Sequence, residues 1–150
     1  NARGIYVDQS PYQPGTVNVY KRNKILYNSN GLQFQVSREK SVFENNLIKG
    51  NMEAIVSDSP NNNLSINTWH NNYWDDYQGF DRDKDGIGDI AHKHYVYADK
   101  LWLYNENIKF FYGSIVVELL NFLAKIAPFS EPDLLAVDKK PLMEWNFEKN

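Results

Sequence analysis

Apolar and polar residues alternate in short segments along the chain before Tyr73. Segments such as 18–20, 23–26 and 31–36 turn every second side chain to one side, the pattern of a half-buried β-strand. They are shorter than a stable helix, and asparagine, glycine and serine separate them, residues that favour turns. The pattern therefore predicts a series of short strands joined by tight corners.

The strand pattern repeats at a fixed step. Asn23 and Asn46 lie 23 residues apart, and the same step links Asn28 to Asn51, Ile25 to Ile48, Gly31 to Ala54, Leu32 to Ile55, Val19 to Val42, and Tyr20 to Phe43 to Ile66. Such a period is typical of solenoids, whose repeats stack on one another. It predicts an all-β fold, a right-handed parallel β-helix, with a ladder of asparagine side chains at equivalent corners.

The repeat is interrupted at both ends. Residues 9–15 contain two prolines and a glycine and are predicted to be a loop inserted in the first repeat, which aligns Ile5 with Leu32 by a step of 27. After Ile66, Trp69 and Trp74 stand at the asparagine positions, so the stack is expected to end there. An antiparallel sandwich with coincidental spacing is the alternative; a leucine-rich repeat is disfavoured because helical stretches are lacking.

The C-terminal part has a different pattern. From Ser114 to Ala127 the chain reads as a helix stopped by Pro128, with one narrow polar stripe and a wide apolar face that includes Val116, Leu119, Leu120, Leu123 and Ile126. This helix is predicted either to cap the β-helix or to dock a partner. A second short helix is expected over residues 132–135, with Ser130 as its N-cap.

Charge and composition exclude several functions. The formal net charge of −3 and the lack of a basic cluster argue against nucleic acid as a partner. The chain has no cysteine and no apolar run of the roughly 20 residues that span a membrane. Since it opens without methionine and as if within a strand, we expect a processed fragment, with any export signal upstream.

Residues 81–89 contain the most specific motif. Asp81, Asp83 and Asp85 stand at alternate positions before Gly86, as in the first half of an EF-hand-like calcium loop. By that template these carboxylates, the carbonyl of Ile87 and the side chain of Asp89 bind a structural calcium ion. The twelfth position is His92 instead of glutamate, and flanking helices are lacking, so the loop is not an EF-hand; a solvated acidic turn is the alternative.

The stretch from Asn71 to Asp89, Asn-Asn-Tyr-Trp-Asp-Asp-Tyr-Gln-Gly-Phe-Asp-Arg-Asp-Lys-Asp-Gly-Ile-Gly-Asp, resembles the end of the β-helix in NosD proteins. The asparagine-rich repeats, Ser130–Leu135 and Asp138–Met143 resemble the same family. The resemblance implies a periplasmic, non-enzymatic accessory protein that helps assemble the copper centres of nitrous oxide reductase. Its implied partners are an ABC transporter membrane subunit and a copper chaperone or the apo-reductase. Ala91 and His92 depart from the family's usual Pro-Tyr.

Copper prefers imidazole or sulfur ligands, so the histidines and methionines are the residues to inspect. His92 and His94 alternate, which predicts that both lie on one face of a strand, about 6–7 Å apart. They are a candidate copper site, or else a pair of surface histidines beside the calcium-type loop. His70, next to Trp69, is expected to pack against aromatic side chains.

These features divide the chain into residues 1–90, the repeats ending in the Asp loop, and residues 91–150, a closing strand and helical tail. The open first repeat is a candidate surface for self-association. Two other functions stay open: a calcium-dependent polysaccharide-active enzyme, and a secreted adhesin-type structural module.

Overall fold

The structure is a computed structural model that describes residues 1–58, 64–96, 114–116, 118–119, 122 and 133–146. The chain divides into two compact units, Asn1–His94 with Leu135–Asn150, and Tyr95–Leu134. The first unit contains the repeats, the Asp loop (residues 81–89) and a closing segment (residues 139–146).

Nine short strands pass through three sheets in a repeating order. The first sheet is formed by β1 (Arg3–Val7), β4 (Asn30–Phe34) and β7 (Glu53–Ser57). The second contains β2 (Asn18–Lys21), β5 (Ser41–Glu44) and β8 (Thr68–His70), and is extended beyond β8 by β11 (Asp133–Asp138) and then β10 (His92–Val96). The third is formed by β3 (Lys24–Leu26), β6 (Leu47–Lys49) and β9 (Tyr73–Trp74), and a 3-10 turn, Leu64–Ile66, precedes β8.

Each strand of the three sheets pairs in parallel with its equivalent in the next passage, and we call one passage through the sheets a coil. Ile25 faces Ile48, while Leu32 lies between Ile5 and Ile55. These pairs confirm the 23-residue step and the step of 27 in the first coil. The parallel pairing contradicts the antiparallel sandwich and confirms an all-β fold that fits a parallel β-helix; its right hand stays a prediction.

The register changes between the second and third coils. Phe43 pairs with Trp69 and Ile48 with Trp74, so the step there is 26 residues. The predicted alignment of Ile66 with Phe43 is wrong, because three additional residues precede β8. The two tryptophans consequently continue apolar columns and do not take the asparagine positions.

Asparagine side chains form a ladder through the coils. Asn23 Nδ2 donates to Asn46 Oδ1 at 3.0 Å, and Asn46 Nδ2 donates to Asn72 Oδ1 at 2.8 Å. The ladder ends on a carboxylate, since Asn72 Nδ2 donates to Asp138 Oδ2 at 2.9 Å. Buried amides need partners at every polar atom, and stacking equivalent asparagines supplies them without breaking the strands.

The core is a stack of apolar and aromatic side chains between the sheets. The rings of Tyr20, Phe43 and Trp69 lie one above the other, with centroids 4.6 and 4.1 Å apart and nearly parallel planes. The centroids of the Trp74 and Trp69 rings lie 5.6 Å apart. The aromatic column thus reaches the loop that follows β9.

The segment after β11 covers the third coil. The amide of Leu142 donates to the Asn72 carbonyl at 2.9 Å, and the amide of Asn71 donates to the Lys140 carbonyl at 2.8 Å. Residues 133–135, predicted to be helical, belong instead to strand β11, which lies between β10 and β8 in the second sheet; pairing in a sheet outweighs the local N-cap signal.

The predicted helix Ser114–Ala127 lies mainly outside the described residues. Within it, Ile115, Val116, Glu118, Leu119 and Phe122 have helical backbone, and the Glu118 amide donates to the Ser114 carbonyl at 3.1 Å. The part of the chain that the structure describes contains no helical cap on the third coil; β11 and its following segment occupy that position. Nor do these residues include a helix with the length and hydrophobicity that a membrane crossing requires.

Candidate metal centre

The loop between β9 and β10 is held closed by Tyr77. Its hydroxyl donates to the carbonyl of Ile90 at 2.6 Å, joining the two ends of the loop. The Tyr77 ring lies so close to Gly79 and Gly88 that a Cβ at either glycine would collide with it. Burial raises the pKa of Tyr77, against a smaller opposite effect of the hydrogen bond, so the phenol stays protonated.

Closing the loop brings three potential ligands together: Asp76 from its beginning, and His92 and His94 from β10. One ligand atom from each lies within 4.8 Å of the others. The two rings, at alternate positions of β10, have centroids 6.3 Å apart. His92 is buried, His94 is half-buried and Asp76 is exposed, so the cluster faces solvent through its carboxylate.

Aromatic rings support the two imidazoles. The centroid of the Trp74 ring lies 4.9 Å from that of His92 and 6.3 Å from that of His94. The Tyr77 ring is perpendicular to the His92 ring, with centroids 5.8 Å apart. Trp74 is itself fixed, because its Nε1 donates to Asp138 Oδ2 at 3.2 Å. The orientation of the imidazoles is therefore set by the same carboxylate that ends the asparagine ladder.

Both imidazoles are neutral near neutral pH. Burial lowers the pKa of His92, although the carboxylates of Asp76 and Asp138 oppose this. Burial, aided by the nearby His92, lowers the pKa of His94 to about 4. Neutral imidazole is the form that binds metal ions, so protons do not compete for the site at neutral pH.

The hydrogen bonds of the cluster leave one buried ring nitrogen available as a ligand. Nε2 of His92 is buried and makes no hydrogen bond, although it lies 3.4 Å from Asp76 Oδ1. Two adjacent ligands of one metal ion, each bound at about 2.0–2.2 Å, are separated by roughly 3 Å. The spacing and the unpartnered nitrogen fit a metal ion between the two groups.

The Asp loop is ordered by its own carboxylates. Asp81 accepts hydrogen bonds from the amides of Lys84 at 2.6 Å and Gly86 at 2.8 Å, and Asp89 accepts from the Arg82 amide at 2.8 Å. Gly86 has a φ of 87°, which a residue with a side chain rarely adopts.

The first three aspartates of this loop also lie close together. Carboxylate oxygens of Asp81, Asp83 and Asp85 are within 4.8 Å of one another. Burial raises the pKa of Asp81, but backbone amides outweigh it, so that pKa is low. For Asp83 the Asp85 amide lowers the pKa, but the neighbouring carboxylates raise it above the usual value. A cation would relieve the repulsion at Asp83.

The remaining predicted site residues lie elsewhere. Ile87 forms a bridge with Leu142, which ties the Asp loop to the closing segment. Val116 and Leu119 are exposed, while Leu120, Leu123 and Ile126 lie outside the described residues. His70 Nε2 lies 3.4 Å from a carboxylate oxygen of Glu44.

Sequence reasoning missed Asp76. The residue stands next to Asp75 in a stretch rich in acidic residues, and nothing in its spacing sets it apart. Its proximity to His92 depends on the loop returning to the end of β9. The signal that could have found Asp76 is the resemblance to NosD proteins, since the residue lies within the stretch from Asn71 to Asp89 that carries this resemblance.

Residues 1–74 match the model of a family described as periplasmic copper-binding protein (NosD). A Stutzerimonas stutzeri protein named "Probable ABC transporter binding protein NosD" is 28% identical over 133 residues, 88% of this chain and 30% of that protein. The protein of the same name from Pseudomonas aeruginosa is 41% identical over 58 residues, 38% of this chain and 13% of that protein. The chain thus spans less than a third of the length of these relatives. The predicted resemblance to the NosD family is confirmed.

Proposed function

We propose, from the NosD-family match of residues 1–74, that the chain is part of a periplasmic accessory protein that binds copper at Asp76, His92 and His94. The observation that carries this proposal is the buried, unpartnered Nε2 of His92 beside the Asp76 carboxylate. An unsatisfied buried nitrogen is costly, and a metal ion at this point would offset that cost.

The proposed role is non-enzymatic and consists of holding copper for delivery. The three residues fit the group, since two neutral imidazoles and a carboxylate are suitable ligands for copper. Copper supplies no reaction in this role, because it is the cargo. Tyr77 and Trp74 orient the imidazoles, and the exposed Asp76 leaves one side of the site accessible to a receiving protein.

The names of the relatives support a membrane transporter as a partner. Both are called ABC transporter binding proteins, and by resemblance the copper passes to the apo-form of nitrous oxide reductase. Exposed Val116 and Leu119 belong to the predicted docking face for the transporter's membrane subunit. Exchange of both for glutamate is expected to abolish co-purification with that subunit while copper binding is retained.

Copper binding itself is tested by metal analysis. Native mass spectrometry of the purified chain with added copper is expected to give one ion per chain, lost in a His92→Phe/His94→Phe variant. His70→Phe is the matched control, because His70 lies beside Glu44 and is not part of the cluster. Equal copper binding by wild type and the double variant would contradict the proposed site.

A structural calcium ion in the Asp loop is a separate part of the proposal. The closeness of Asp81, Asp83 and Asp85 and the raised pKa of Asp83 support it. Calcium is expected to raise the melting temperature of the wild type but not of Asp83→Ala. The same small shift in both proteins would leave the loop as a solvated acidic turn.

The scaffold is proposed to be a right-handed β-helix that can self-associate through its first coil. The three parallel sheets support it, and β1, β2 and β3 each form a sheet edge that another strand could extend. Sedimentation velocity over a dilution series is expected to show a dimer that dissociates; a monomer at every concentration would remove self-association from the proposal.

A further inference from the structure

The three ligand atoms at the metal centre are all nitrogen or oxygen. Two come from the imidazoles of His92 and His94, and the third is a carboxylate oxygen of Asp76. The chain contains no cysteine, so a thiolate of its own cannot join them. Imidazole and carboxylate ligands suit divalent copper in tetragonal geometry, whereas monovalent copper favours thiolate or thioether sulfur.

The charge of the site also favours divalent over monovalent copper. Asp76 is the carboxylate whose oxygen lies 3.4 Å from His92 Nε2, and its charge adds to that of Asp138 behind Trp74. A doubly charged ion gains more from these two carboxylates than a singly charged one does. Among divalent first-row ions, copper binds such ligands most tightly.

From this geometry we infer that the Asp76–His92–His94 centre takes copper in its divalent state, with Asp76 as the residue that selects the charge. The inference rests on the proposed function and adds the oxidation state of the bound ion. Removal of the Asp76 charge should therefore weaken the binding of divalent copper much more than that of monovalent copper, because two imidazoles alone can bind the monovalent ion.

The test compares the wild type with Asp76→Asn, and with Asp75→Asn as a matched control. Asp75 is the adjacent exposed carboxylate, but it accepts a hydrogen bond from the Gly50 amide and is not part of the cluster. The purified chain is titrated with Cu²⁺ and Zn²⁺ in air and with Cu⁺ under anaerobic conditions, each against a competing chelator. Pulsed EPR of the Cu²⁺ form reports coordinated imidazole nitrogens.

We expect Cu²⁺ to bind more tightly than Zn²⁺, with two imidazole nitrogens in the EPR spectrum. Asp76→Asn should lower Cu²⁺ affinity by more than about tenfold, since loss of a group that only supports a ligand already costs about that much, and leave Cu⁺ affinity within about twofold. Asp75→Asn should change neither. Tighter Zn²⁺ binding, equal losses for both copper ions, or no greater effect of Asp76→Asn than of Asp75→Asn would overturn the divalent assignment.

The outcomes also separate this inference from the proposed function. If Cu⁺ binds through His92 and His94 but Cu²⁺ does not, the copper site stands and the divalent assignment fails. If neither copper ion binds, both fail together.

Discussion

Asn46 joins its coil to the coil before it and the coil after it through four side-chain hydrogen bonds. It is 1% exposed. Its Oδ1 accepts hydrogen bonds from the backbone amide and the Nδ2 of Asn23, each at 3.0 Å. Its Nδ2 donates to the Tyr20 carbonyl at 2.9 Å and to Asn72 Oδ1 at 2.8 Å. Asn46→Ala removes four hydrogen bonds, and among their partners Asn72 is fully buried.

The expected loss follows from those partners. A buried polar group without its partner costs about 1–3 kcal/mol, and the groups freed at Asn23 and Tyr20 are only partly buried. We therefore expect Asn46→Ala to lower the free energy of unfolding by about 3–5 kcal/mol. This is a large fraction of the roughly 5–15 kcal/mol that stabilises a typical domain.

Urea unfolding followed by far-UV circular dichroism measures this loss. Asn23→Ala is the matched control, because it removes the same amide at the first position of the ladder, where the side chain donates only to Asn46 Oδ1. Its expected cost is about 1 kcal/mol. If the two variants were destabilised equally, the ladder would not be a source of stability in the middle coil.

Three further predictions concern the loop, the histidines and a corner. Gly88→Ala should displace the Tyr77 ring, lowering both the melting temperature and copper affinity; unchanged copper affinity would show that Tyr77 does not hold the site. His94 has a pKa of about 4 against 6.5 for an ordinary histidine, so the unfolded chain takes up the proton first, and stability should fall by up to about 3 kcal/mol as the pH drops from 6.5 to 4. His94→Phe should flatten this dependence in urea midpoints measured against pH. Gly50→Ala should cost about 1–2 kcal/mol in urea unfolding, since φ is 67° and the added methyl meets Tyr27; no loss would mean that the corner adapts.

The first two coils could be predicted from the sequence because their period is constant. Ile25 and Ile48, and Asn23 and Asn46, stand at the same step, so one spacing gives both the interior column and the ladder. The third coil could not, because three residues are added before β8. A constant step of 23 residues from Asn46 predicts Trp69 as the next position of the ladder, whereas the structure has Asn72 there.

The closing segment and the metal centre depend on contacts between distant residues. Local signals near Ser130 favoured a helix, yet residues 133–138 form a strand that lies between β10 and β8 in the second sheet. Alternation was enough to put His92 and His94 on one face of β10. It contained no information about Asp76, which joins them only when the loop closes around Tyr77.

The bond between Asn72 and Asp138 also has a consequence for the order of folding. The two residues are 66 positions apart, so a chain that emerges from its N-terminus presents the amide at the end of the ladder before the carboxylate arrives. During that interval the chain presents an unfinished, strand-like surface, and we expect chaperones that shield such surfaces to bind the incomplete chain in preference to the finished protein.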